Sequence, residues 1–323
     1  MLILSREDVK QILDVTELFE ALKDGFRMLA EGQWIVPLRT AIEMSRPQGI
    51  ALFMPAYCEG LASTGMKLVT IMSRNPEKKL SLIHSNYLHV SADTGEILAL
   101  MDAEVLTALR TATTSALVAD MLGKSGGRYL AMFGTGVQAF AHVEVFTKLF
   151  SIGEVLVYGL TPELGEEFAN RVERQLRTPA RRAVMSELKR ADLICTCTTN
   201  SEPLFELKDI RPGVHITAMG AYRPNTREIG SDVVANSAVI VDTYEGALNE
   251  AGEFVMAIKE GAITKDHIYA SIAELVSEAK SAPEDERKTT LFKSLGMALE
   301  DLVAADLTYR KAVEKGIGQE VRV

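Results

Sequence analysis

The sequence predicts an α/β protein whose central part is a doubly wound parallel sheet of the Rossmann type. Two observations lead to this fold class. From residue 128 onward, short apolar runs alternate with helical patterns, which is the rhythm of parallel sheets with crossover helices. A glycine-rich turn joins the first of these strands to the first of these helices. The residues before 123 follow a different pattern, which predicts an antiparallel sheet with flanking helices.

The N-terminal third begins with a helical pattern over residues 6–31, where apolar positions recur every three or four residues until Gly32. Short β-rich runs follow, and Asp93-Thr94-Gly95 marks a turn between two of them. The predicted strands are 34–45, 50–55, 63–72, 84–91 and 96–101. An Ala- and Leu-rich stretch then predicts a helix over 103–122.

The central part alternates strands with helices. Its predicted strands are 128–133, 154–158, 181–185, 192–198, 214–219 and 238–242, and its first two helices are 136–150 and 162–176. The polar segment 281–288 predicts a surface loop, and a last long helix is expected over 294–315. Apolar residues spread widely around that helix, which indicates that it is buried.

Composition excludes several classes of protein. The 323 residues carry 35 basic and 44 acidic side chains, so the net charge of −9 argues against nucleic acid as a partner. No apolar run reaches the ~18 residues of a membrane helix, and the apolar stretch after Met1 is too short for a signal peptide. The cysteines, Cys58, Cys195 and Cys197, can form no disulfide framework and lack metal-site spacing. We therefore expect a reduced, cytoplasmic protein with no metal site and no membrane partner.

The glycine-rich turn reads Gly134-Thr135-Gly136-Val137-Gln138-Ala139, the pattern Gly-x-Gly-x-x-Ala at the end of a strand and the start of a helix. In such turns the first glycine permits the tight turn and the second lets the backbone approach a pyrophosphate. The helix N-terminus adds unpaired N–H groups and a partial positive charge. This context predicts a dinucleotide site at residues 134–138, and the alternative is a tight β-α turn without a ligand.

The rest of the expected cofactor site lies at the carboxyl ends of other strands. Thr161 follows the second central strand, where neither the acidic residue typical of NAD sites nor the arginine typical of NADP sites is present. Thr161 either contacts the cofactor or caps the next helix, so NAD and NADP both stay open. Thr198 and Thr199 follow a later strand, and either line the nicotinamide side or form a turn. Met219 and Gly220 complete the expected cofactor-binding set.

Six stretches, in this order and spacing, cover nearly the whole chain. They are Met54-Pro55-Ala56-Tyr57, Gly65-Met66-Lys67-Leu68-Val69, Thr94-Gly95-Glu96 with Met101-Asp102, Leu106-Thr107-Ala108-Leu109-Arg110-Thr111-Ala112, Gly134 to Ala139, and Thr290-Leu291-Phe292-Lys293-Ser294-Leu295-Gly296. In this combination the chain resembles the ornithine cyclodeaminase/mu-crystallin family. The resemblance implies a homodimer with a discontinuous substrate and dimerisation domain, 1–118 completed by 296–323. A dinucleotide-binding Rossmann domain, 119–295, would be inserted into it.

The resemblance also implies site residues. Arg39 and Arg110 match arginines that hold a substrate α-carboxylate, for which the planar guanidinium is suited. Lys67 matches a lysine beside the reacting carbon–nitrogen bond, and would be the catalytic residue. Met54 and His84 would contact the substrate, since Met54 lies in a matched stretch and His84 in the segment of the pocket wall. For each cation, the alternative is a structural salt bridge.

Two departures from the family pattern bear on the activity. Cyclodeaminases of the family carry an Asp in a Gly-Ala-Asp-x-Pro-Gly-Lys run, and Tyr222 stands at that position here. A phenol with a pKa of about 10 does not replace a carboxylate at neutral pH. Residues 81–84 read Ser-Leu-Ile-His where many members have Pro-Thr-Ile/His-Gln, so the substrate side chain stays open.

These observations favour one activity over three alternatives. The resemblance and its departures indicate reduction by NADH or NADPH of a C=N bond next to a carboxylate, in a cyclic ketimine such as 1-pyrroline-2-carboxylate, giving proline. The alternatives are an alanine-type dehydrogenase, an ornithine cyclodeaminase, and a non-catalytic crystallin-like ligand-binding protein. The expected partner is a small imino or amino acid.

Overall fold

The computed structural model describes residues 1–46 and 48–322, and the chain divides into two compact units. The first unit contains Met1–Arg110 and Met297–Val323, and the second contains Thr111–Gly296. One sheet of eight strands forms the centre of each unit. The mixed α/β architecture with a parallel sheet confirms the predicted fold class.

The elements are numbered in chain order. The strands are β1 (Leu2–Leu4), β2 (Trp34–Ile35), β3 (Thr40–Met44), β4 (Gly49–Cys58), β5 (Ser63–Met72), β6 (Ile83–Ser91), β7 (Ile97–Asp102), β8 (Tyr129–Phe133), β9 (Glu154–Tyr158), β10 (Ala180–Arg182), β11 (Leu193–Thr196), β12 (His215–Ala218), β13 (Ser237–Val241), β14 (Ile268–Ser271), β15 (Thr289–Lys293) and β16 (Gln319–Glu320). The α-helices are α1 (Arg6–Ile12), α2 (Val15–Ala30), α3 (Glu104–Met121), α4 (Val137–Leu149), α5 (Pro162–Leu176), α6 (Ser231–Asn236), α7 (Tyr244–Glu250), α8 (Gly252–Lys259), α9 (Ile272–Val276) and α10 (Ala298–Lys315).

The sheet of the first unit has the strand order β16-β1-β7-β6-β5-β4-β2, and β3 also pairs with β4. The β1–β7 pair is parallel and the other pairs are antiparallel. The helix predicted over 6–31 is two helices in the structure. Asp14 separates them, because its carboxylate accepts hydrogen bonds from the first-turn N–H groups of Thr16 and Glu17 and so starts α2 anew.

A row of buried side chains crosses five strands of this sheet. Its members are cross-strand neighbours in register, namely Leu4, Met101, Tyr87, Lys67 and Met54. All are at most 5% exposed. Helix α10 packs on β4, β5 and β6 on one side and on α2 on the other. A lysine therefore occupies a position in the row where the core otherwise holds apolar or aromatic side chains.

The sheet of the second unit is parallel throughout, with the order β10-β9-β8-β11-β12-β15-β13-β14. Apolar residues on both faces of the strands form its core. Strands β14 and β15 were not predicted from the sequence. Strand β15 lies between β12 and β13, although its five residues begin with two threonines and end with a lysine. A run this short has no diagnostic periodicity, and only its pairing with two neighbours makes it a strand.

No helix in the part of the chain that the structure describes has both the length and the apolar character needed to cross a membrane.

The crossing of α2 and α10 depends on a glycine. A Cβ atom added to Gly25 would lie 2.7 Å from Cγ2 of Val303, and the Gly25 carbonyl accepts a 3.0 Å hydrogen bond from Nε1 of Trp34. We expect Gly25→Val to lower the free energy of unfolding by about 1–3 kcal/mol, the usual effect of overpacking. Gly126→Val is the matched control, because no atom lies within 4 Å of its added Cβ. Urea unfolding measures both, and equal losses would contradict the close helix crossing.

Candidate active site

Two basic and two acidic side chains meet in the buried interior of the first unit. The Nζ atom of Lys67 lies 2.8 Å from each carboxylate oxygen of Asp301. Arg110 donates from Nε to Oδ1 of Asp301 at 2.9 Å and from Nη1 to Oε2 of Glu300 at 2.6 Å. The exposed fraction is 2% for Lys67, 4% for Arg110 and 0% for both acids. We call these four residues the buried charge cluster.

One strand and two helices, β5, α3 and α10, carry the four residues of this cluster. Lys67 lies in the middle of β5, between Met54 on β4 and Tyr87 on β6. The acids occupy the first turn of α10, where the helix dipole favours negative charge. Glu300 is also held there by the backbone N–H of Met297, which donates to its Oε1 at 2.8 Å. Because buried charges are tolerated only when they are paired and hydrogen-bonded, the two acids of α10 require their basic partners, Lys67 on β5 and Arg110 on α3.

The cluster changes the acid–base chemistry of the lysine. Burial lowers the pKa of the Lys67 ammonium to about 8, against the opposing effect of the neighbouring Asp301 carboxylate. The Arg110 guanidinium lowers this pKa further. An ammonium with a pKa near neutrality is suited to donate a proton, because both of its protonation states are accessible.

Tyr87 lies beside Lys67 and is fully buried. Burial, together with the Asp301 and Asp306 carboxylates, raises the pKa of its phenol well above the ordinary value. Among the described residues, its hydroxyl has no hydrogen-bond partner. The phenol therefore stays neutral, and its polar atom is aimed into the interior beside the charge cluster.

The structure brings some of the predicted substrate residues together and leaves one apart. Lys67 and Arg110 share the Asp301 carboxylate, and Met54 is the direct neighbour of Lys67 on β4. Arg39 precedes Thr40, which pairs with the residue next to Met54, so the Arg39 backbone lies at the end of the same row. His84 is exposed and three residues before Tyr87, which places it on the opposite face of the sheet.

The predicted dinucleotide turn lies between β8 and α4 in the second unit. Gly134 has φ +108°, and an added Cβ would lie 2.4 Å from the carbonyl oxygen of Cys197. Gly136 is the N-cap of α4, with no side-chain cap, and no atom lies within 4 Å of its added Cβ. Packing within the protein therefore requires a glycine at 134, whereas the glycine at 136 leaves open space above the N–H groups of α4. That space is where a pyrophosphate approaches in such turns.

Other residues of the predicted cofactor site lie at the carboxyl ends of neighbouring strands. Thr198 follows β11, and Met219 and Gly220 follow β12; an added Cβ on Gly220 would lie 2.1 Å from the Thr198 carbonyl oxygen. Thr199 is exposed in the loop after β11. Thr161 caps α5, with its Oγ1 accepting from the N–H of Leu164 at 3.4 Å. Thr135 and Gln138 flank Gly136 in the turn and the first turn of α4.

A buried carboxylate that the sequence analysis missed orders the loops after β11 and β12. Glu228 is fully buried and accepts from the Thr196 hydroxyl, from the hydroxyl and N–H of Thr198, and from the N–H of Gly220, at 2.7–2.8 Å. Its own N–H donates to Glu253, which forms a fully buried ion pair with Lys293 on β15. These contacts hold two loops at the expected nicotinamide side in one conformation.

Three further residues of this region were not predicted from the sequence, namely Glu300, Asp301 and Tyr87. The sequence did contain a hint of the two acids. They lie in the first turn of α10, whose apolar residues cover all sides of the helix and so indicate that it is buried. A buried acid needs a basic partner, but the sequence does not indicate which one. Nothing in the sequence marked Tyr87 as a site residue, because an aromatic residue in a strand commonly belongs to the hydrophobic core. Within residues 1–46 and 48–322, no group of three or more His, Cys, Asp or Glu side chains is placed to hold a metal ion.

The unpartnered Tyr87 hydroxyl leads to a stability prediction. A buried polar group without a hydrogen bond costs about 1–3 kcal/mol, so we expect Tyr87→Phe to raise the free energy of unfolding by about 1 kcal/mol or more. Tyr309→Phe is the matched control, because Tyr309 is only half-buried and its hydroxyl is not expected to carry that cost. Chemical denaturation of both variants measures the difference. A loss of stability in Tyr87→Phe would mean that the hydroxyl has a partner.

Comparison with known proteins places this chain among reductases of carbon–nitrogen bonds. A Delta(1)-pyrroline-2-carboxylate reductase of Bacillus cereus is 31% identical over 324 residues, covering 99% of each chain. The ketimine reductase mu-crystallin of Mus musculus is 36% identical over 310 residues, covering 95% of this chain and 96% of its own. The structure of the Thermococcus litoralis Delta(1)-pyrroline-2-carboxylate reductase in complex with NADH and L-proline superposes with a TM-score of 0.94 at 34% identity, covering 99% of this chain and 100% of that one.

The family model of these proteins matches residues 1–316. The order of the six stretches, the parallel sheet with its glycine turn and the full-length matches agree with it. The chain belongs to the ornithine cyclodeaminase/mu-crystallin family.

Proposed function

We propose that this protein reduces the C=N bond of a cyclic ketimine next to a carboxylate with NADH or NADPH, and that it converts 1-pyrroline-2-carboxylate to proline. The observation that carries the proposal is the buried Lys67 ammonium, paired with Asp301 and with a pKa of about 8. The relatives from Bacillus cereus and Thermococcus litoralis bear the name of this activity.

We assign the substrate to the first unit. Lys67 donates a hydrogen bond to the imine nitrogen and then its proton, while Arg39 and Arg110 bind the carboxylate through their guanidinium groups. Met54 lines the site beside Lys67. The buried surroundings of Lys67 exclude water, which strengthens each of these electrostatic contacts. We assign no role to His84, because it is exposed on the other face of the sheet.

We assign the cofactor to the second unit. The backbone of Gly134, Thr135 and Gly136 with the first turn of α4 would hold the pyrophosphate, and Val137 and Gln138 lie in that turn. The nicotinamide would be bordered by Thr198, Thr199, Met219 and Gly220. Thr161, in the loop between β9 and α5, would lie near the adenosine ribose. Neither the acidic residue typical of NAD sites nor the arginine typical of NADP sites directly follows β9, so the proposal names NADH and NADPH without choosing between them. A bound reduced nicotinamide supplies a hydride.

The reaction balances with one hydride and one proton. The imine carbon gains the hydride, the imine nitrogen gains a proton from Nζ of Lys67, and the C=N double bond becomes a C–N single bond. Lys67 regains its proton from solvent between turnovers. The Asp301 carboxylate lies 2.8 Å from Nζ and favours the ammonium form of Lys67, which is thereby restored.

Tyr222 favours reduction over ornithine cyclodeamination. It is 43% exposed in the loop after β12, and the Cζ atom of Arg223 lies 5.5 Å from the centre of its ring. A phenol beside a guanidinium offers no carboxylate to pair with the second ammonium group of ornithine. The position therefore lacks the anionic group that the family resemblance assigns to ring closure.

We further propose a cytoplasmic homodimer joined through the outer face of the sheet of the first unit. This face, opposite α10, carries a cross-strand row of Pro55, Met66, Leu88 and Leu100, none of which is fully buried. A continuous apolar row of this kind is typical of a protein–protein interface. The three free cysteines support the proposed cytoplasmic location.

A substrate panel tests the proposed activity. We expect oxidation of NADH or NADPH, followed by absorbance, with 1-pyrroline-2-carboxylate, and proline as the product by mass spectrometry. Pyruvate with ammonia tests the alanine-type dehydrogenase, and ornithine without added reductant tests cyclodeamination. Proline and ammonia from ornithine would overturn the interpretation of Tyr222. Absence of turnover with every imino acid, together with tight binding of an apolar ligand, would favour a crystallin-like binding protein.

The role of Lys67 predicts a loss of turnover. We expect Lys67→Met to lower kcat by about 10²–10⁴-fold, the usual contribution of general acid catalysis. Lys10→Met is the matched control, since Lys10 is exposed on α1, and it should keep the native rate. Circular dichroism and unfolding curves check that Lys67→Met is folded. A folded Lys67→Met protein with native turnover would refute the assignment.

Alanine substitutions at the two glycines of the turn should differ in their effects on stability and on NADH binding. Gly134→Ala should lower the free energy of unfolding by about 1–3 kcal/mol, because φ at this position is positive. Gly136→Ala should change stability by less than about 0.5 kcal/mol, yet raise the Kd for NADH at least about tenfold, or about 1.4 kcal/mol. Denaturation and fluorescence titration measure the pair. Native NADH affinity in Gly136→Ala would exclude this turn as the pyrophosphate site.

A further inference from the structure

The carboxylate of Asp301 has two basic partners in the buried charge cluster. Nζ of Lys67 is equidistant from both of its oxygens at 2.8 Å, and Nε of Arg110 donates to Oδ1 at 2.9 Å. Asp301 is fully buried, so water does not compete for these oxygens. Arg110 is held in turn by Glu300, one residue earlier on α10. The direction of the Lys67 side chain is thus determined by a helix that lies 234 residues later in the chain.

Burial acts against the charge that Lys67 needs as a proton donor. Removing an ammonium from water disfavours its charged form, and a nearby carboxylate is the usual compensation. Among the groups that face Lys67, Asp301 and Glu300 on α10 supply negative charge, and Arg110 on α3 supplies positive charge. From β6, Tyr87 contributes a neutral phenol, and from β4 the neighbour is the uncharged Met54. Of the two acids, Asp301 is the one whose oxygens lie 2.8 Å from Nζ.

We infer that Asp301 is the positioning residue of the proposed reduction: its carboxylate keeps Lys67 charged and holds Nζ in one place, and Arg110 holds Asp301. This inference rests on the proposed function of Lys67. Helix α10 thereby positions the proton donor in addition to packing against the sheet. It also gives Arg110 a second role, because the guanidinium that binds the substrate carboxylate orients the partner of the proton donor as well.

Direct titration of Lys67 tests the inference without reference to activity. In protein labelled with ¹³C at the lysine ε carbons, the resonance absent from Lys67→Met identifies Lys67, and its chemical shift is followed against pH. The native protein should titrate near pH 8. In Asp301→Asn the pKa should fall by about 1–3 units, the usual effect of removing an opposite charge at this distance. An unchanged or raised pKa would overturn the inference.

Asp306→Asn is the matched control on the same helix. Asp306 is also buried, and it accepts hydrogen bonds from Ser63 at 3.3 Å and from Arg310 at 2.8 Å, whereas the Lys67 ammonium pairs with Asp301. Its replacement should leave the Lys67 titration unchanged. A fall equal to that in Asp301→Asn would mean that any loss of acidic charge from α10 suffices, and would overturn the specific role of Asp301.

The pH profile of kcat/KM gives the second measurement. A proton donor acts while it is protonated, so reduction should be full below the pKa of Lys67 and be lost as pH rises through about 8. In Asp301→Asn this alkaline limb should move to lower pH by the same shift as the resonance. Asp306→Asn should keep the native profile. An alkaline limb that does not move while the resonance does would separate Lys67 from the proton transfer and overturn the inference.

A third variant keeps the inference testable if Asp301→Asn fails to fold. Asp301→Glu keeps the charge but displaces the carboxylate by one methylene. The Lys67 pKa and the alkaline limb should stay near their native values, while kcat falls by about 10²-fold from misplacement. A native kcat in Asp301→Glu would overturn the positioning role.

If the native protein reduces no imino acid but the titrations behave as described, the proposed function fails and the pairing of Asp301 with Lys67 stands.

Discussion

The first unit is organised around the ion pair between Lys67 and Asp301, because both charges are removed from water. An unpaired charge at such a site is strongly unfavourable, and breaking a buried pair typically costs about 3–5 kcal/mol. The pair therefore requires that the N-terminal sheet and the C-terminal helix α10 assemble together. Arg110 and Glu300 extend the same constraint, so that two positive and two negative side chains balance inside the core.

The second unit uses buried carboxylates for a related purpose. Glu228 accepts hydrogen bonds from backbone and hydroxyl donors at the carboxyl ends of two parallel strands, where the loops of an open sheet meet its ligands. Its neighbour Glu253 is neutralised by Lys293. Strand β15 lies in the middle of the sheet. Through Lys293 it also supplies the positive charge that pairs with Glu253 in the loop network.

The success of prediction from the sequence differed between the fold and the site. Two features could be predicted from the sequence, the alternation of strands and helices and the turn at Gly134, because each depends on residues close in the chain. Strand β15 was missed because only its neighbours β12 and β13 make it a strand. Resemblance to a family supplied Lys67 and Arg110, but not Asp301, because a buried acid on an apolar helix indicates no particular partner.

The sequence by itself determined the fold class, the position of the dinucleotide turn and the absence of an acidic residue directly after β9, all of which follow from local backbone preference and side-chain type. Only the tertiary structure decided that Lys67 is buried, that Asp301 faces it, and that His84 lies on the opposite face. The physical reason is that desolvation and Coulomb attraction depend on distance in space. Residues 67 and 301 meet only after the sheet and α10 have packed.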